Sequence, residues 1–397
     1  MKKLFRSIHL YLSLAAGIFI ILACVTGSIM VFEDEINHLI YSKRYFVKAQ
    51  KEKPPIDELI KYVENHKEGF KVTGVKVYNK PNRSLEVSIS PIEKEKEKPI
   101  TKEPQRRKEN QFTVYINPYT GQILDLVNGG GSFFKKVEML HRFLLGRKGG
   151  VGHYIMRYSA TFFLFIIATG LVLWWPKSKA ILKQRLKVKW DGSTKRLMHD
   201  LHVVVGFYTS LFLIIIVMTG LVMSFNWLNK GLFVLTHSSP QHSEPPKSKM
   251  IKDFHITSID QIQENLGSKL DEAQEYSIRF PQKKDAAFQI NVLDKNVSPN
   301  AINTYYANQY NGEIIGNLAF ADKNLGQKIR SYIKPIHTGE VYGLTTKILN
   351  FIIILLTLTF PVTGVIMWLN RLKKQSQKSK PITSQKQYPL KEIPPIH

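Results

Sequence analysis

The sequence predicts a membrane all-α fold: a four-helix transmembrane bundle built as a tandem repeat, with two extracytoplasmic α+β domains. Three observations carry this expectation. Charge-free apolar stretches run over residues 7–32, 158–176, 201–229 and 348–370. Two of them open with a histidine and reach a Thr-Gly whose glycine lies eighteen residues later, His9 with Thr26-Gly27 and His202 with Thr219-Gly220. The segments between the stretches repeat one order of elements.

Each stretch is long enough to cross a hydrocarbon layer of roughly 30 Å at a helical rise of about 1.5 Å per residue. The first, residues 1–32, follows Lys2, Lys3 and Arg6. Its apolar run is too long for a signal peptide and no small-residue cleavage site precedes Phe32-Glu33-Asp34, so it reads as a retained anchor. Residues 33–132 form the first outer domain. A helix is expected over 56–66 and strands over 72–78, 85–89 and 112–116, the last entering the turn Asn117-Pro118-Tyr119-Thr120-Gly121. Within it, residues 93–110 are charged and contain proline, the composition of a mobile loop.

Residues 133–176 hold an interfacial helix and the second span. Over 133–145, Phe134, Val137, Leu140, His141 and Leu144 fall on one face and Lys135, Lys136, Glu138 and Arg142 on the other, so His141 turns away from water. Residues 177–200 are a basic loop and 201–229 the third span. The second outer domain, 230–324, repeats the first: helix over 259–266, strands over 276–280 and 287–293, and a segment 304–310 leading into Asn311-Gly312-Glu313-Ile314. Residues 325–370 form an approach segment and the fourth span; His337 follows Pro335 and precedes Gly339 and Gly343, an irregular backbone tolerated at a membrane where protein or a cofactor covers it. Residues 371–397 are a basic tail. From leading histidine to turn glycine the spacing is 112 residues in one half (His9 to Gly121) and 110 in the other (His202 to Gly312), and each half closes on a further Thr-Gly, Thr169-Gly170 and Thr363-Gly364.

The net charge of +25 is largely a topology signal. The N-terminal tail, the 177–200 loop and the 371–397 tail together carry +15 of it in short segments, which places both termini in the cytoplasm and the two long loops outside. These basic segments flank helices and lack interleaved stacking aromatics, so no nucleic-acid partner is expected. The lone Cys24 excludes a disulfide framework or a CxxC redox pair.

The strings IHLYLSLAAG…TG, INPYTGQIL, MLHRFLLG…TGLVLWWPK, HDLHVVVGFY…TGL and PIHTGEVYG…TGVIMWLNR together resemble the PepSY-associated transmembrane family, across roughly residues 1 to 372. Members of that family include iron-regulated reductases of ferric siderophores. The resemblance implies PepSY-like outer domains, residence in a bacterial cytoplasmic (inner) membrane, and an oxidoreductase of the ferric-siderophore reductase type.

Six of the twelve histidines lie at membrane boundaries: His9, His199 and His202 at the cytoplasmic face, His141, His153 and His337 at the outer face. Ionisable groups beside hydrocarbon mark functional sites. Haem iron is commonly held by histidine, and bundles build such sites from facing helices. With the family resemblance, the two-by-two layout implies two b-type haems, an inner one on His9 and His202 and an outer one on His141 and His337. His199 shares a helical face with His202 and is the alternative inner ligand; His153, among Gly149, Gly150 and Gly152, is the alternative outer one. Gly206 and Ser13 lie one turn beyond His202 and His9, leaving room for a porphyrin, although small residues in membrane helices also serve close packing. Arg6, Arg142, Arg157, Arg330 and Lys334 are candidate propionate partners. Trp174, Trp175 and Trp368 read as aromatic-belt anchors.

The sequence contains no Ser/His/Asp order, HExxH motif or cysteine nucleophile, so no catalytic residue is assigned. His237, His242 and His255 fall in a Pro/Ser-rich linker. No nucleotide-binding fingerprint occurs either, so electrons would come from a separate donor and pass to a ferric siderophore or another extracytoplasmic acceptor, the lipid bilayer being the other partner. Two other classes fit the same residues: a non-enzymatic PepSY-domain regulator with packing histidines, and histidine-based metal transport.

Overall fold

The computed structural model describes residues 1–92, 111–240, 244–249, 256–295, 297 and 300–378; the charged loop 93–110, His242, His255 and the tail beyond 378 lie outside the described residues. The chain runs through α1 (Lys2–Val31), α2 (Glu33–Ile40), α3 (Ile56–His66), β1 (Phe70–Tyr78), β2 (Leu85–Pro91), β3 (Phe112–Ile116), β4 (Ile123–Asn128), α4 (Phe133–Phe143) and α5 (Val151–Trp174). It continues through α6 (Thr194–Ser224), α7 (Asn226–Leu235), α8 (Ile259–Leu266), β5 (Ala273–Arg279), β6 (Phe288–Asp294), β7 (Ile302–Ala307), β8 (Ile314–Leu318), α9 (Leu325–Thr338) and α10 (Leu344–Lys378).

Among the described residues, α1, α5, α6 and α10 are the four helices long and apolar enough to cross a membrane. They close into a ring, α1 against α5, α5 against α6, α6 against α10 and α10 against α1. The long connections leave from one end of this bundle, called here the sheet end; the N-terminus and the 177–193 loop lie at the opposite, basic end.

Two of the expected spans shift. The second helix starts at Val151, because Arg157 is taken into it: its guanidinium lies 4.0 Å over the Phe225 ring, a contact that lets the cation sit against the bundle. The third begins at Thr194 and stops at Ser224, where Phe225 adopts extended backbone (φ −109°, ψ 117°) and α7 sets off with the polar Asn226, Asn229 and Lys230. Trp174, expected as a belt anchor, is instead buried and stacks flat on Phe207 at 3.7 Å; Trp175 remains exposed.

The strands expected in two separate domains join in one eight-stranded antiparallel sheet of order β4-β3-β2-β1-β5-β6-β7-β8. β1 and β5 form the central seam, Gly74 opposite Arg279 through Tyr78 opposite Glu275. The seam needs glycine at 74, since a Cβ there would lie 2.8 Å from the Ile278 carbonyl oxygen. Alternation along β2 and β6 buries Leu85, Val87 and Ile89 and their counterparts Phe288, Ile290 and Val292 on one face, which α3 and α8 cover with Leu59, Ile60, Val63, Ile259, Ile262 and Leu266. The outermost strands, β4 and β8, return from matched turns. Asn117 and Asn308 each accept the amide of the tyrosine two residues on, and Gly121 and Gly312 both sit at φ +71°, a conformation that L side chains rarely adopt.

The two covering helices lock to one another at their N-termini. Asp260 accepts the amides of Ile56 (2.9 Å) and Asp57 (3.3 Å), while Asp57 accepts those of Ile259 (3.0 Å) and Asp260 (2.9 Å). Each carboxylate therefore caps the other helix, satisfying amides that have no partner within their own helix.

Candidate functional site

Four histidines come together as two pairs at opposite ends of the bundle. At the basic end, His9 on α1 and His202 on α6 have ring centroids 6.4 Å apart with planes at 77°. At the sheet end, His141 on α4 and His337 on α9 also stand 6.4 Å apart, at 67°. His9 and Thr26 are seventeen residues apart on one straight helix, so the two pairs are separated by about 25 Å along the axis.

The local sequence explains how each ring is presented. His202 lies in a π-helical turn, Leu201–Val205, whose wider backbone reorients the side chains at the start of the span. His141 sits two residues before Phe143, where α4 ends and Leu144 and Leu145 take positive φ (51° and 63°), unusual for bulky residues and held by amide bonds back to Leu140 and Met139. Gly152 lets the first turn of α5 abut that ending; a Cβ there would overlap the Phe143 carbonyl. His337 occupies the last turn of α9, after the in-helix Pro335, and α9 is closed by Gly339 at φ +82°.

The sequence reading missed the groups that orient all four rings. The Nδ1 of His9 bonds to Thr169 Oγ1 (3.1 Å) and the Ile166 carbonyl (3.0 Å); that of His337 bonds to Thr219 Oγ1 (3.2 Å) and the Ile216 carbonyl (2.8 Å). His141 and His202 bond in the same way to Thr26 and Thr363, at 2.9 Å each. The glycine after each threonine lies against the same ring, its added Cβ reaching the histidine Cε1 at 3.6 Å (Gly27), 3.4 Å (Gly170), 3.0 Å (Gly220) or 3.5 Å (Gly364). The threonine holds the ring nitrogen and the glycine makes room for the ring edge. The available signal was the recurrence of Thr-Gly in all four apolar stretches.

This arrangement fixes the tautomer. Each of the four threonines donates its own hydroxyl proton to a backbone carbonyl four residues back, at 2.6–2.9 Å, so its oxygen faces the histidine as an acceptor. A carbonyl can only accept as well. Nδ1 must therefore carry the proton in every ring, leaving the lone pair on Nε2. Among the described residues no hydrogen bond engages Nε2 of any of the four. An imidazole whose Nδ1–H is held by a backbone or side-chain acceptor is the form that ligates metals through Nε2.

The pair separation suits a shared metal. Two metal–imidazole bonds of about 2 Å, plus about 1 Å from each ring centre to its nitrogen, give roughly 6 Å between centroids. A Cβ added at Gly206, four residues after His202, or at Gly17, eight after His9, would meet nothing within 4 Å, so the helices are open beside the inner pair. A bis-histidine haem site asks for these features: two Nε2 donors on facing helices and low side-chain volume beside them.

The other candidates fall elsewhere. His199 is about half exposed and bonds through Nδ1 to Asp200 at 3.1 Å, one turn beyond the inner pair. His153 is buried in the first turn of α5, where its Nδ1 accepts the Gly149 amide at 3.0 Å and its ring packs on Phe143; the proton of the neutral ring is then on Nε2, so it presents no free lone pair. Arg142 is committed to Glu138 at 2.6 Å. Arg157 covers Phe225, Arg6 and Lys334 are exposed and Arg330 is half-buried.

Four membrane helices, an eight-stranded sheet at one end and two histidine pairs define a polytopic membrane protein. A profile of the PepSY-associated TM region matches residues 6–371, and the chain belongs to that family. It matches no curated protein.

Proposed function

We propose that the protein is a di-haem b-type electron-transfer protein of the bacterial cytoplasmic membrane, made of two equivalent halves with PepSY-like outer domains. In this reading both termini are cytoplasmic and the sheet is extracytoplasmic. The protein passes electrons from a separate donor to an extracytoplasmic acceptor, the family's ferric siderophores being the first to test. The observation that carries the reading is the set of four imidazoles with Nδ1 hydrogen-bonded and, among the described residues, no hydrogen bond at Nε2, paired at 6.4 Å near both ends of the bundle. Haem supplies reversible one-electron chemistry when bound.

The chain's own residues do the rest. His9 and His202 would hold the inner group and His141 and His337 the outer one; Thr169, Thr363, Thr26 and Thr219 keep each lone pair aimed and raise its basicity. Every site draws one histidine from each half, so neither forms until the halves are packed. The sheet over the outer pair offers a surface on which an acceptor can dock, where reduction to Fe(II) would loosen hard oxygen ligands on the iron.

The test is the reduced-minus-oxidised absorption spectrum of the purified protein, with pyridine haemochrome quantification. Two b-type haems per chain are expected, falling to one in His9→Ala or His337→Ala. A colourless protein from haem-replete cells would refute the reading, and loss of both haems or of neither in these variants would refute the pairing.

A further inference from the structure

We infer that Asn350 is a positioning residue for the outer histidine pair: from α10 it holds the backbone of His337 while α6 holds the ring. Its Nδ2 donates to the His337 carbonyl at 3.1 Å, and the residue is 6% exposed. The amide nitrogen is the only end of this side chain that can face a carbonyl, so donor and acceptor are fixed. A carboxamide inside an apolar span is costly without a partner, and polar groups there mark functional sites. The role acts through His337 and rests on the haem reading above.

The backbone of α9 gives the reason. Pro335, two residues before His337, has no amide to offer the preceding turn, and Gly339, two residues after it, ends the helix at φ +82°. The turn that carries the ring is therefore flanked by a helix breaker on each side. The His337 carbonyl is also one of the last four in α9, which have no acceptor role within their own helix. The start of α10 closes this turn from outside: Thr346 Oγ1 donates to the Gly339 carbonyl and Asn350 to that of His337. The fit is close, since a Cβ at Gly339 would lie 2.9 Å from Asn350 Cβ. Three residues before Asn350, Lys347 donates to both oxygens of Glu35 at 2.9 and 3.1 Å, which ties the start of α10 to α2. The side chain that grips His337 thus stands on an anchored helix.

The other half does without this bond. Met156 precedes Thr169 by thirteen residues, as Asn350 precedes Thr363, and a thioether cannot donate. There α4 reaches His141 with no proline inside it, and the first turn of α5 closes on its end through backbone packing, Gly152 against the Phe143 carbonyl. The donor stands in the half whose histidine turn is interrupted by proline, and a methionine takes its place where that turn is continuous. This is the pattern of a compensation for the proline, made at the ligand and not elsewhere along the span.

The test uses the detergent-purified full chain carrying His9→Ala, so that the one haem left belongs to His141 and His337. In that background Asn350→Met, the residue of the other half, should weaken haem binding about 2- to 12-fold, the range of one neutral hydrogen bond. It should also raise the fraction of ferrous haem that takes up carbon monoxide, because a loosened His337 is displaced more readily. Asn350→Leu, closer in shape and equally without a donor, should do the same, and Asn350→Gln, which keeps the amide, should restore most of both properties. In a His141→Ala background, where the inner haem remains, Asn350→Met should change neither. Unchanged haem affinity and carbon monoxide uptake in both donor-free variants, a lowered melting temperature with unchanged uptake, or equal losses at the inner haem would each overturn the positioning role. A wild type without haem would overturn the haem reading and this role together, whereas a one-haem His9→Ala protein indifferent to Asn350 would overturn this role alone.

Discussion

Replacing Thr363 by valine isolates the role of the orienting threonines. Valine keeps the volume and branching of a side chain only 4% exposed, and removes the oxygen 2.9 Å from His202 Nδ1. A buried donor left without its acceptor costs about 1–3 kcal/mol. Removing a group that orients a metal-bound histidine costs roughly 10–100-fold in affinity, about 1.4–2.8 kcal/mol, so two independent routes reach the same range. Haem titration into the apo-protein should therefore show one site weakened 10–100-fold, the His9/His202 site, with the His141/His337 site unchanged. Thr363→Ser, which keeps the hydroxyl, should recover most of the loss. The reasoning fails if Thr363→Val binds two haems with wild-type affinities and unchanged midpoint potentials.

Gly220→Ala should disturb the outer site more than Gly27→Ala, because its new methyl would press on His337 Cε1 at 3.0 Å whereas the one at Gly27 meets His141 at 3.6 Å; haem content per chain gives the ranking. His199→Ala should leave haem stoichiometry at wild-type level, since its ring is turned to solvent and Asp200, and a one-haem spectrum would restore it as a ligand. The Asp57/Asp260 pair bears on stability. Burial, and then the facing Asp57 carboxyl, hold the Asp260 carboxyl above its ordinary value, so its contribution is fully present below the unfolded value and is lost as pH rises through the folded one. Asp260→Asn keeps a carbonyl acceptor for Ile56 and Asp57 and removes one titrating group. It should flatten the acid-side pH dependence of sheet unfolding while changing stability near neutrality by within about 1 kcal/mol, which circular dichroism melts across pH would measure.

Much of this was legible in the chain because apolar run length and two-residue alternation are local signals. The helix over 56–66 and the strand over 112–116 fall where the periodicity put them, and the Asn…Tyr…Gly turns share one backbone conformation. The outer strands β4 and β8 were not read, since Ile123–Asn128 and Ile314–Leu318 are short and half-buried and owe their conformation to pairing with β3 and β7. The β1/β5 seam was hidden for a related reason: pairing between strands some two hundred residues apart leaves no local trace beyond one glycine. The histidines stood out because such groups are rare beside hydrocarbon. The threonines did not, because a threonine in a membrane helix ordinarily satisfies itself by bonding back to the preceding turn, and these four do so as well. Their second role requires knowing which helix lies alongside.

That double role explains why the motif is Thr-Gly and not another small pair. The hydroxyl proton must be spent within its own helix so that the oxygen is left as a pure acceptor; serine could do this but would rotate more freely than a β-branched side chain. The following glycine removes a Cβ that would meet the incoming ring. Each histidine is thus tied to a threonine of its own half, His9 to Thr169, His141 to Thr26, His202 to Thr363 and His337 to Thr219, while its ring partner comes from the other half. Orientation is set within a half and distance between halves. The seam of β1 with β5 and the crossed Asp57 and Asp260 caps fix that second relation at the sheet end, so a perturbation there should reach the His141/His337 spacing before it reaches His9/His202, about 25 Å further along the bundle.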